Sequence, residues 1–141
     1  MGIAEKEPIV RIAVIEDDAG LRQMITFLLG DEGFAVIPCA LGAGAHATIV
    51  RGRPDVVLLD LRLEESRTGL AVLEAIRDDP RTRDTAVILC SGDVYFLREH
   101  TDELRAQRCG IIEKPFDITE LLAMIRGITS PSPATAPIAR M

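Results

Sequence analysis

The sequence predicts an open, doubly wound α/β sandwich built on a five-stranded parallel sheet of order 2-1-3-4-5. Three observations predict it. Five short, β-branched, nearly continuous apolar runs alternate with stretches of helical periodicity, as strands covered on both faces do. The 141 residues suit one domain, and the 48% apolar content supplies its core. The connections are short, so right-handed crossovers leave few strand orders open.

Each element follows in turn. Residues 1–8 are a polar lead-in, and 9–16, "IVRIAVIE", are the first strand. Asp18 stands where a helix N-cap belongs; Leu21, Met24, Ile25 and Leu28 follow at i, i+3, i+4, i+7. That helix stops near Gly33, and 34–39 form a second strand whose Pro38 suggests an edge position or a strand end. Residues 43–51 make a small-residue helix, and Pro54 opens the third strand, 54–61. Helix 69–78 turns Leu70, Leu73 and Ile76 inward. A fourth strand at 85–91, a more polar helix at 94–107 and a fifth strand at 110–116, broken by Pro115, follow. The last helix carries Ile118, Leu121, Leu122 and Ile125 at the same helical spacing. The domain is expected to span 9–127, with 128–141 a disordered tail or the start of a linker, rich in Pro, Ser and Ala.

Composition excludes several function classes. A net charge of −6 without a basic run argues against binding a nucleic-acid backbone. No apolar run approaches about 18 residues, so neither a membrane span nor a signal peptide is expected. Cys39, Cys90 and Cys109 form no C-x-x-C and read as buried small apolar residues of a cytoplasmic protein.

The strand ends carry the chemistry. The first strand leaves the core through three consecutive acids, Glu16, Asp17 and Asp18. In the order 2-1-3-4-5 the switch point lies between strands one and three, and ligands bind beyond the carboxyl ends there. Glu16 and Asp17 should therefore meet Asp60, which ends the third strand, while Ser91 and Lys114 end the fourth and fifth at the same edge. Clustered carboxylates repel, and a set of hard oxygen ligands suits Mg²⁺, with Mn²⁺ as a substitute. A carboxylate can attack phosphorus to give an acyl phosphate, whose oxygens the metal, Lys114 and Ser91 would stabilise. Asp60, single and central, is the nucleophile candidate.

The ordered set "VIEDD", "PDVVLLDL", "VILCSG" and "IIEKPF" resembles the receiver domain of two-component response regulators, a flavodoxin-like fold, over about residues 9–127. The resemblance implies that Asp60 accepts a phosphoryl group from a histidine kinase or phosphotransfer protein. It implies that Asp17, Asp60 and the Arg62 carbonyl bind Mg²⁺, that Glu16 holds the metal's water, and that Ser91 and Lys114 contact the phosphoryl group. It implies a cis peptide at Lys114-Pro115 and output to a protein partner through the face of helix four, strand five and helix five, with a homodimer compatible. Asp18 then serves mainly as the cap.

The chain departs from the family pattern in places. Ile111 stands where the family has Tyr or Phe, which puts the usual hydroxyl-to-aromatic relay in doubt; Tyr95 and Phe96 are the nearby rings. Arg62 and Asp93 flank the expected mouth and would pair across it, or else remain solvated surface charges. His46 and His100 have no partners at metal or triad spacing and read as helix-surface residues. A rival reading, a dinucleotide fold from "GAGAHA" at 42–47, leaves Glu16, Asp17 and Lys114 unexplained. A second rival is an interaction module that is never phosphorylated.

Overall fold

The computed structural model describes residues 9–42, 44–61 and 68–129. The elements run β1 (Arg11–Ile15), α1 (Ala19–Asp31), β2 (Ala35–Cys39), α2 (Ala45–Gly52), β3 (Val56–Asp60) and α3 (Thr68–Asp78). They continue through β4 (Ala86–Ser91), α4 (Val94–Glu99), α5 (Thr101–Ala106), β5 (Cys109–Glu113) and α6 (Ile118–Thr129). All neighbouring strands pair in parallel in the order β2-β1-β3-β4-β5. The expected architecture and strand order hold.

Two cores flank the sheet because side chains alternate along each strand. Ala13, Ile15, Val57, Leu59, Val87 and Leu89 pack against Ala45 and Ile49 of α2, Leu73 and Ile76 of α3, Leu97 of α4 and Leu104 of α5. Ile12, Val14, Val56, Leu58 and Ile88 pack on the other face against Ile25 and Leu29 of α1 and Leu121 and Ile125 of α6. Each fully buried Ile or Leu contributes about 1.5–3 kcal/mol. β2 is one of the two edge strands, which is why Pro38 is tolerated in it.

Several expectations need correction. On α1 the buried stripe is Ile25 and Leu29 with Leu21 half-buried, whereas Met24 is 52% exposed. Leu21 and Ile25 of the expected stripe do face the core, Leu29 joins them, and Met24 turns outward. The single helix expected at 94–107 is two. At their junction the His100 N–H and a His100 ring nitrogen both reach the Phe96 carbonyl at 3.0 Å, and Thr101 Oγ1 donates to the Leu97 carbonyl at 2.7 Å. Such local bonds to carbonyls bend a helix. α6 runs to Thr129. The lead-in 1–8 and the tail from 130 onward lie outside the described residues.

Candidate functional site

The alternation that builds the cores also sorts the strand ends. Glu16, Asp60, Cys90 and Lys114 continue the rows of Val14, Leu58, Ile88 and Ile112, so they emerge on the side of α1 and α6. Ser91 continues the row of Val87 and Leu89 and emerges on the side of α4. Backbone pairing carries on past the strands and holds these ends together. The Glu16 N–H donates to the Cys39 carbonyl at 3.0 Å, that of Leu61 to Cys90 at 3.0 Å and that of Lys114 to Ser91 at 2.9 Å. The Lys114-Pro115 peptide is cis, as expected.

Glu16, Asp60 and Ser91 are buried polar groups at the switch point, while Asp17 is exposed at the rim. The Lys114 ammonium lies 3.1 Å from Glu16 Oε1 and 3.3 Å from Asp60 Oδ1, so one cation serves two buried carboxylates. The Asp18 N–H donates to the other Glu16 oxygen at 3.1 Å. Burial raises the Glu16 carboxyl above the usual range, and the Asp60 charge adds to this against the Asp18 and Lys114 bonds. Burial by itself would lower the Lys114 ammonium, but the neighbouring acidic groups hold it above its ordinary value. Burial also pushes the Cys90 thiol up to about 12, so at neutral pH Asp60 and Glu16 carry that effect on Lys114.

Asp18 caps α1 as expected, accepting the Leu21 N–H at 2.9 Å. Asp93 is a cap as well: its carboxylate accepts the Phe96 N–H at 3.0 Å, and its own N–H donates to Ser91 Oγ at 3.0 Å. Arg62, expected both as Asp93's partner and as a carbonyl ligand, lies outside the described residues. Ile111 and Phe96 pack against the same core, and the Phe96 ring stacks on His100 with centroids 4.0 Å apart; Tyr95 is 80% exposed. His100 is therefore partnered, while His46 Nε2 lies 3.1 Å from Asp79 Oδ2 without hydrogen-bond geometry, an ion pair only when the imidazole is protonated. The glycine pattern at 42–47 follows the edge strand β2, away from the switch point, which removes the dinucleotide reading.

Sequence reasoning missed two residues here. Arg22 donates through one guanidinium nitrogen to the Glu16 carbonyl at 2.7 Å and the Asp17 carbonyl at 3.4 Å, tying down the turn that carries the acids. Its place one helical turn past the Asp18 cap was the available signal. Cys90 faces Asp60 in the strand register, and ligand atoms of Glu16, Asp60 and Cys90 lie within 4.8 Å of one another. An apolar cavity of about 430 Å³, lined by Leu21, Met24, Lys114, Pro115 and Phe116, opens beside the ammonium.

Known proteins agree with this geometry. The chain is 30% identical over 121 residues to the DNA-binding dual master transcriptional regulator RpaA of Synechocystis, covering 84% of this chain and 48% of that protein. It is 29% identical over 133 residues to the phosphate regulon regulatory protein PhoB of Pseudomonas aeruginosa, covering 90% and 56%. It thus spans about half the length of the curated relatives it matches. The receiver domain of a Pseudomonas aeruginosa sensor histidine kinase, solved with magnesium in its active-site cleft, superposes with a TM-score of 0.73 at 24% identity. That match covers 87% of this chain and all of that one. Among the described residues no helix is long and apolar enough to cross a membrane. The sequence model of the response regulator receiver domain matches residues 12–126, and the chain belongs to that family of two-component signalling domains.

Proposed function

We propose that Asp60 accepts a phosphoryl group from the phosphohistidine of a histidine kinase or phosphotransfer protein, and that its charge state switches the binding of a protein partner. One observation carries this reading: a buried carboxylate on the central strand shares a single ammonium with a second buried acid, 3.3 Å and 3.1 Å away. In the transfer, an Asp60 carboxylate oxygen bonds to phosphorus, the phosphorus–nitrogen bond breaks, and the donor histidine, protonated on its other ring nitrogen, leaves as neutral imidazole. Lys114 moves its ammonium onto the phosphoryl oxygens, and the Ser91 hydroxyl, whose own proton is available, donates to another. The chain acts as a phosphoacceptor, with turnover confined to its own phosphorylation and hydrolysis.

The donor set suits Mg²⁺, with Mn²⁺ as a substitute: carboxylate oxygens in excess over the one ammonium, two of them buried. Asp17, Asp60 and the Arg62 carbonyl would hold it, with Glu16 bonding its water. When bound, it neutralises charge on the acids and on the phosphoryl oxygens. The output face is that of α4, β5 and α6, where Arg98 of α4 pairs with Glu113 of β5 at 3.3 Å and Tyr95 stands exposed.

The test is acetyl phosphate with and without Mg²⁺, read by intact mass beside Asp60→Asn. A metal-dependent adduct absent from the variant is expected. No adduct on folded protein would overturn this reading. It would favour an interaction module without phosphorylation, the alternative that Ile111 at the aromatic position supports.

A further inference from the structure

We infer that Cys90 makes this pocket a second kind of cation site, one for a thiophilic divalent ion such as zinc, held by Cys90 Sγ with carboxylate oxygens of Asp60 and Glu16. The set differs from the all-oxygen set assigned above to Mg²⁺: it omits Asp17 and Arg62 and lies on the side of Lys114.

Two independent observations support it. First, the three donors already converge, with one ligand atom of each residue within 4.8 Å of the others. Tetrahedral zinc holds sulfur at about 2.3 Å and carboxylate oxygen at about 2.0–2.2 Å, which separates the two donors by about 3.6 Å. Side-chain rotations that close the gap by about 1 Å complete the set, with water as a fourth ligand. Second, Cys90 is only 2% exposed and makes no hydrogen bond among the described residues, whereas Cys39 and Cys109 both donate to backbone carbonyls. Cys90 packs on the apolar core, while its sulfur sits beside the two carboxylates without a hydrogen bond among the described residues, which leaves it available to a soft ion. Register fixes this placement, because Cys90 and Asp60 are partners across β3 and β4.

The same place accepts a cation in the unmodified chain, since the Lys114 ammonium bridges Glu16 and Asp60. A divalent ion there displaces the flexible lysine toward solvent, where its side chain is already 23% exposed. The Cys90 proton leaves to water as the sulfur–metal bond forms, because a coordinated thiol is deprotonated. Hard Mg²⁺ has no use for the sulfur, so the two ions sort by ligand softness.

The test is titration of the full chain with Cd²⁺ alone, in Mg²⁺-free buffer, following thiolate-to-metal charge-transfer absorption in the ultraviolet. The chain has no Trp and one Tyr, so the background is low. A band saturating at one equivalent is expected. Cys90→Val should abolish it, while Cys39→Ser and Cys109→Ser should keep it. Outer-shell partners alone are worth about 10–100-fold in metal affinity, so Asp60→Asn should weaken binding by at least about tenfold. Lys114→Met, which removes the competing ammonium, should strengthen it. No band, or a band that survives Cys90→Val, would overturn the inference; so would weaker binding in Lys114→Met, which also covers the case of a Cys90 variant that does not fold. Loss of the acetyl phosphate adduct on adding Cd²⁺ is a further consequence that rests on the proposed function. The absorption band needs no phosphorylation, so the two readings fail separately.

Discussion

Gly69→Ala places one methyl group where the first turn of α3 meets the end of the central strand. A Cβ built there comes within 2.4 Å of the Asp60 carbonyl oxygen, 2.6 Å of Leu61 Cα and 2.8 Å of the Leu61 carbonyl oxygen. All three are backbone atoms, and Asp60 and Leu61 are buried, so no flexible side chain can yield. The nearest contact must open from 2.4 Å to at least 3.0 Å, by moving either the helix or the strand end. Overpacking of this kind costs about 1–3 kcal/mol, and the rigidity of the backbone puts it at the upper end. Alanine's better helix propensity returns up to about 1 kcal/mol. The net loss is about 2 kcal/mol, a fall in Tm of roughly 6–10 °C for a domain of this size. Gly30→Ala in α1 and Gly127→Ala in α6 are the controls: nothing lies within 4 Å of either added Cβ, so each should gain about 0.5–1 kcal/mol. Thermal melts of the three variants measure this directly. The acetyl phosphate adduct on Gly69→Ala should form at least about tenfold more slowly, because the displaced peptide is that of the nucleophile. A Gly69→Ala protein as stable as the wild type would refute the steric argument. A stability loss with the adduct rate unchanged would refute its link to Asp60.

Arg22→Ala should weaken Mg²⁺ binding about fivefold, the equivalent of about 1 kcal/mol for a partly exposed charged hydrogen bond, with little change in Tm. Calorimetric titration checks this, and an unchanged affinity would show that the acidic turn holds itself. Arg77 donates to the carbonyls of Gln107, Arg83 and Thr85 at 2.8–2.9 Å, far from the site. Arg77→Ala should therefore lose about 2–3 kcal/mol in denaturant melts while the adduct rate of the folded protein stays unchanged. The hydrogen bonds of Arg81, with the nearby His46, hold the Asp79 carboxyl at about 2 against an ordinary 3.8. A depressed folded-state value means stability that is present above about pH 3.8 and lost as pH falls toward 2. The Tm advantage of the wild type over Asp79→Asn should shrink across that window and stay flat above it.

The parts of this molecule legible in its sequence are those set by period and by order. Continuous β-branched runs can bury both faces only in a sheet covered on both sides. Short connections then bring Glu16, Asp60, Ser91 and Lys114 to one edge. Helix phase was less legible, because apolar spacing does not say which apolar residues stay outside. Met24 and Leu28 fit a helical stripe as well as Leu29 does, and only the docking angle of α1 against β1 and β2 chooses between them. The break at His100 depends on side chains bonding back to carbonyls, which no hydrophobic period reports. Long cations were the least legible. Arg22 and Arg77 act on backbone carbonyls contributed by other segments, and such partners exist only once the chain is folded. Cys90 was legible in principle: in the order β3-β4 the residue beside Asp60 is fixed by register, and a two-residue period gives the side it faces.

Ile111, in the middle of β5, stands where the family pattern has an aromatic residue, so under the proposed function a signal from Asp60 would act on what the structure has in its place. Ser91 Oγ accepts the Asp93 N–H, the Asp93 carboxylate accepts the Phe96 N–H, and the Phe96 ring lies on His100, where the helical segment breaks. Under the proposed function, a shift of Ser91 toward a phosphorylated Asp60 would act, through one hydrogen bond, on the residue that caps α4. Loss of a cap costs a helix about 1 kcal/mol, which matters for a helix of six residues with one buried side chain, Leu97. Phe96 and Ile111 already share the core beneath this turn, so a ring is present beside β5 even though the sequence places it on the helix. Under the proposed function, a hydroxyl moving toward Asp60 either gives up its bond from the Asp93 N–H or draws the start of α4 with it. The second response alters the face that carries Tyr95 and the Arg98–Glu113 pair.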